Sequence, residues 1–117
     1  MKRRWRFYRT TSGRSPVRDF IDGLDDGDLA AVTAAMRDVA ASGLPVARHL
    51  RGDIYEVRAS GDRQAFRVLF ANEGRQGQVL LALDAFSKKS QRTPAPQLDL
   101  AERRLADWRA RGRPSHR

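Results

Sequence analysis

Residues 79–94, VLLALDAFSKKSQRTP, decide how the rest of the chain is read. From 79 to 86 the stretch is apolar except at Asp84. A run this short, rich in Leu and carrying Val and Phe, fits a sheet-interior strand better than a helix, whose burial needs a longer periodic stripe. The chemistry then changes abruptly. Ser87, Lys88, Lys89, Ser90, Gln91, Arg92 and Thr93 place three cations and four hydrogen-bonding side chains on one short connection, and Pro94 and Pro96 stop extended pairing beyond it. A buried strand delivering a dense cationic loop is a way of building a phosphate-handling site.

The segments just before this stretch have period two. Residues 54–59 (IYEVRA) and 65–71 (AFRVLFA) read as strands joined by SGDRQ, and NEGRQG leads into the central strand. Alternation assigns their faces. Tyr55 and Val57 share a helix-covered core face with Phe66, Val68 and Phe70, which leaves Glu56, Arg58, Arg67 and Leu69 on the opposite side. In an antiparallel pair of that register Arg58 and Arg67 are neighbours. Two like charges side by side call for an anion. Glu56 or Asp84 is the internal choice, and a phosphate gripped by both guanidinium forks is the external one.

Farther out, residues 4–10 alternate cations with Trp5 and Phe7 and predict a first strand. Ser15 and Pro16 signal a helix start, with Val17, Phe20, Ile21 and Leu24 as its apolar stripe and an end near Gly23. Asp25, Asp26 and Asp28 open a second helix, whose stripe of Leu29, Val32, Met36 and Val39 runs to Ser42 before Gly43 and Pro45. A last helix begins around 93–96 and carries Leu98, Ala101, Leu105 and Trp108 at helical spacing. Residues 109–117, RARGRPSHR, lose periodicity and read as a flexible basic tail. The expectation is one α+β domain over residues 1–108, ordered β-α-α-β-β-β-α, with its helices on one side of the sheet.

Composition limits the chemistry. The 117 residues carry 23 Lys and Arg against 14 Asp and Glu, a net charge of +9, which suits a polyanion such as nucleic acid or an acidic protein partner. With no Cys and only His49 and His116, a cysteine- or histidine-rich metal centre is not expected, and neither is a cofactor. The opening MKRRWRFYRT lacks the apolar core of a signal peptide, and no apolar run approaches the roughly 20 residues of a membrane span. A cytoplasmic protein without membrane contact is expected.

Taken together, Ser15-Pro16-Val17 with Phe20, Leu50-Arg51-Gly52, YEVR at 55–58, FRVLF at 66–70 and FSKKSQRTP at 86–94 resemble the phage-derived, HigB-like branch of the RelE/ParE toxin superfamily. The resemblance covers roughly residues 5–108. It implies a RelE-like fold with a small twisted antiparallel sheet backed by helices. It also implies the toxin of a bacterial type II toxin–antitoxin pair, cutting messenger RNA, commonly on the ribosome, and silenced by a helix-turn-helix antitoxin of the Xre or HigA kind. The ParE side of the superfamily offers a different expectation, a non-enzymatic inhibitor of DNA gyrase. A degenerate toxin that keeps only antitoxin binding is the third.

Metal-independent RNA cleavage uses the substrate's own 2′-hydroxyl as nucleophile, so a protein must position the backbone, move protons and stabilise a charged phosphorane. By resemblance, Arg58 and Arg67 hold the scissile phosphate, and Lys88 and Lys89 add stabilisation or, with a pKa lowered by neighbouring cations, act as general base. Arg51, Ser87, Gln91, Arg92 and Thr93 are the expected RNA-binding residues. Several relatives place a tyrosine or histidine near the C-terminus for proton transfer, whereas this chain has Trp108, whose indole cannot do so. Asp84 and His116 are the remaining proton-transfer candidates.

Overall fold

The computed structural model describes residues 2–87 and 92–112. Strand β1 (Arg4–Phe7) leads into helices α1 (Pro16–Asp22) and α2 (Asp26–Ser42) and a 3-10 turn, Leu44–Val46. Strands β2 (Arg48–Arg51), β3 (Ile54–Ser60), β4 (Ala65–Glu73) and β5 (Val79–Ser87) follow, and α3 (Ala95–Gly112) ends the fold. The α+β class is as expected. Among the described residues no helix is long and apolar enough to cross a membrane.

Local chemistry explains the N-terminal helices. Asp25 caps α2 by accepting a hydrogen bond from the Asp28 amide at 3.0 Å, and Gly43, at φ 81°, turns the chain out of the helix in a conformation that favours glycine. Val32, Met36 and Val39 form the buried stripe of α2. At α1 Pro16 takes the first helical position, but the Ser15 hydroxyl makes no capping bond.

The five strands lie in the order β1-β5-β4-β3-β2. Three expectations are corrected here. First, the sheet is mixed, because β1 pairs in parallel with β5 while the neighbouring pairs β2–β3, β3–β4 and β4–β5 are antiparallel. Local alternation carries no information on that long-range partner. Second, Arg48–Arg51 forms an additional edge strand; its four residues, RHLR, are exposed at one end and half-buried at the other, so no alternation marks it. Third, the helices do not share one side. Helices α1 and α2 cover a core that includes Val57, Phe66, Val68, Phe70 and Leu80, whereas α3 covers Ile54, Leu69, Leu81 and Leu83 with Ala101 and Leu105. A sheet apolar on both faces must be covered on both, each large side chain removed from water contributing roughly 1.5–3 kcal/mol.

The central strand also breaks its own period. Leu69 pairs with Asp84 but Phe70 with Ala82, so Leu83 is the extra residue of a β-bulge. Leu83 and Asp84 are therefore both turned toward α3. The helix itself continues through Gly112, so residues 109–112, assigned by composition to a tail, are its last turn. Arg109 there pairs with Glu73 at 2.7 Å and Asp53 at 3.0 Å.

Candidate functional site

The face-and-register prediction for β3 and β4 holds. Arg58 stands opposite Arg67, and Glu56 stands opposite Leu69 on β4 and Arg48 on β2, all on the α3 face. Glu56 is the anion between the cations. Its carboxylate accepts from Arg58 Nε at 2.8 Å, lies 3.7 Å from Arg67 Nη1, and accepts a short hydrogen bond from the Thr93 hydroxyl. Thr93 in turn accepts from Arg67 Nη1 at 3.2 Å. Glu56 therefore ties two strands to the segment that follows the cationic loop.

The two arginines are not equivalent. Arg58 keeps 34% of its side chain exposed, whereas Arg67 keeps 3%. Burial lowers the pKa of Arg67 from its ordinary value; Glu56 opposes the shift, and the positive charges of Arg58 and Arg48 add to it. Arg67 thus lies beneath the site, supporting it rather than reaching out of it.

Above this network is a cavity of about 510 Å³, lined by Arg48, Arg58, Arg92 and Thr93 with Leu50, Ala95 and Leu98. Three guanidinium groups around a partly apolar floor can receive a phosphodiester and leave space for an adjoining sugar or base. The sequence readily showed Arg58, Arg92 and Thr93. It did not show Arg48, Leu50 and Leu98. RHLR shows no period of its own, and only the pairing with Glu56 puts Arg48 on the same face as Arg58.

Several expected site residues stand elsewhere. Arg51 is held by α3, donating to Glu102 at 2.8 Å and to Asp99, and those carboxylates raise its pKa. Asp84 pairs with neither Arg58 nor Arg67. It lies beneath α3, 3.4 Å from Arg104 and accepting from Gln97 at 3.1 Å, and burial raises its pKa against the pull of Arg104. Ser87 occupies the register position opposite Phe66, on the α1–α2 side of the sheet. Lys88, Lys89, Gln91 and His116 lie outside the described residues. His49 is opposite Tyr55, turned away from the cavity, with its Nε2 2.8 Å from the Gly52 carbonyl. Trp108 packs beside the α3 core. Among the described residues no three His, Cys, Asp or Glu groups are placed to hold a metal ion.

Comparison with known proteins converges on one family. Residues 19–106 match the family model described as phage-derived protein Gp49-like. The chain is also similar to the protein named "Probable endoribonuclease HigB1" in two Mycobacterium tuberculosis strains, CDC 1551 / Oshkosh and ATCC 25618 / H37Rv. Identity is 35% over 111 residues, spanning 90% of this chain and 84% of the relative in both cases.

Proposed function

Because the chain belongs to the phage-derived Gp49-like family, the HigB-like branch of the RelE/ParE toxins, we propose that it is a toxin–antitoxin toxin that cleaves messenger RNA in the cytoplasm. The observation that carries this reading is the arginine-lined cavity over the Glu56 network. Its chemistry matches the activity named for the relative.

In the proposed reaction the ribose 2′-oxygen forms a bond to phosphorus as the bond from phosphorus to the 5′-oxygen breaks. The products are a 2′,3′-cyclic phosphate and a 5′-hydroxyl end. One proton leaves the 2′-hydroxyl and one is taken up by the departing 5′-oxygen, so the step balances without an oxidant or a hydrolytic water. Arg58 and Arg48 bind the non-bridging phosphate oxygens, where charge accumulates in the transition state. Arg92 adds a third cation from the opposite wall. Lys88 and Lys89 are the proposed proton carriers, joined to this wall through Arg92 and Thr93 in sequence. Glu56 and Arg67 hold Arg58 and Thr93 in place. A helix-turn-helix antitoxin as partner and action on ribosome-bound message belong to the same proposal.

The test is brief induction of the wild-type chain and an Arg48→Ala, Arg58→Ala double variant, followed by mapping of new messenger RNA 5′ ends. New ends inside translated regions are expected with the wild type, and at least about a hundredfold fewer with the variant, the usual scale for losing transition-state donors. Arrested growth without new ends would overturn the reading and bring forward DNA gyrase as target.

A further inference from the structure

A cavity of about 860 Å³ lies away from the arginine site, at the β1 edge of the sheet. It is walled by residues of β1, α1 and the C-terminal end of α3. Since α1 and α3 cover opposite faces of the sheet, a cavity touching both passes around the free edge. A second cavity of about 310 Å³ borders the same strand at Arg4, Trp5 and Arg6.

That edge is unfilled in a directional sense. Arg4 and Tyr8 donate their amides inward, to the carbonyls of Gln78 at 2.9 Å and Ala82 at 3.0 Å. Successive residues of a strand turn their backbone groups to opposite sides, so Trp5 and Phe7 present N–H and C=O outward. The cavity wall adds Arg6, Arg9, Arg18 and Arg111 against a single carboxylate, Asp22, and among the described residues Arg6, Arg9 and Arg18 form no ion pair. It also holds the Ser15 hydroxyl, which is buried and makes no hydrogen bond to a described residue.

We propose that the outer edge of β1 is the docking site for an extended acidic segment of the antitoxin, pairing as a sixth strand with carboxylates on Arg6, Arg9 and Arg18. The proposal rests on the toxin reading above. A strand satisfies the outward backbone groups, and carboxylates satisfy the arginines. A second copy of this chain would bring one net +9 surface against another. Single-stranded RNA fits less well, because the aromatic rings are already engaged. Trp5 sets its edge against Phe70 and donates its indole N–H to the Met36 carbonyl at 2.8 Å, and the Arg18 guanidinium covers Phe7 at 4.5 Å.

The decisive measurement is amide hydrogen exchange on the free chain and on its complex with its cognate antitoxin, co-expressed and purified together. The Trp5 and Phe7 amides are expected to become protected in the complex. An Arg6→Glu, Arg9→Glu variant should bind that antitoxin about tenfold or more weakly, as expected for reversed charges facing an acidic strand, while its RNA cleavage stays at the wild-type level. Unprotected Trp5 and Phe7 amides in the intact complex would overturn the proposal. So would a variant that keeps full antitoxin affinity but loses affinity for a single-stranded RNA oligonucleotide, which would assign the edge to RNA. If the wild-type chain cut no RNA, the ribonuclease reading would fail, and exchange in the complex would still decide where the antitoxin lies.

Discussion

Glu56 has no direct route to the solvent, yet three side chains of the proposed site take their positions from it. Replacing it by Ala would leave the Arg58 and Arg67 guanidiniums face to face without their shared carboxylate. Breaking a buried charged network in this way costs about 3 kcal/mol, and the urea midpoint of Glu56→Ala is expected to fall accordingly. Asp84 gives a prediction of opposite character. Burial raises its folded-state pKa above the ordinary 3.8, so the folded protein holds this proton more tightly than the unfolded chain. Its contribution to stability is then complete below pH 3.8 and is lost as pH rises through the raised value. Thermal midpoints measured across that range should show wild type falling relative to Asp84→Asn as pH increases; parallel curves would show that Asp84 does not titrate with folding.

At the scale of elements, two of the ion-pair clusters that fasten α3 to the sheet are of unequal quality. Arg109 reaches Glu73, whose side chain is only 11% exposed, while Arg51 meets Asp99 and Glu102, both more than 40% exposed. Exposed pairs are weakened by water and salt, so Arg109→Ala is expected to lower the denaturation midpoint more than Arg51→Ala, with the difference persisting in high salt. The sequence made the β3–β4 hairpin legible because YEVR and FRVLF alternate cleanly, and with them the Arg58–Arg67 juxtaposition. It left α3 on the wrong face even though a signal was present. Leu69 had been assigned to the side opposite the first two helices, and a buried Leu there requires a cover. Arg48 and the parallel partner of β1 were less accessible, since the first lies in a strand too short to show a period and the second depends on a segment more than seventy residues away.

For the whole molecule, positive charge is distributed rather than concentrated, and that distribution fixes how RNA affinity should respond to ions. Each phosphate neutralised on a single strand contributes a slope of about −0.7 to log affinity against log salt, so contacts from Arg48, Arg58 and Arg92 predict about −2. Fluorescence anisotropy with a labelled RNA should give that slope, and Arg48→Ala should make it shallower by roughly one contact. A slope near zero would mean that the cavity does not take phosphates.

The parallel pairing of β1 with β5 also sets a schedule. The strand synthesised first finds its partner only when the next-to-last element has been made, and that partner is also the inner neighbour of β4. Such distant pairings cannot form early, because the loop between them must close first. A nascent chain therefore lacks the strand that joins β1 to β4 until translation is almost complete. On the toxin reading proposed above, the order in which the strands emerge would keep the nascent chain inactive until it is nearly complete.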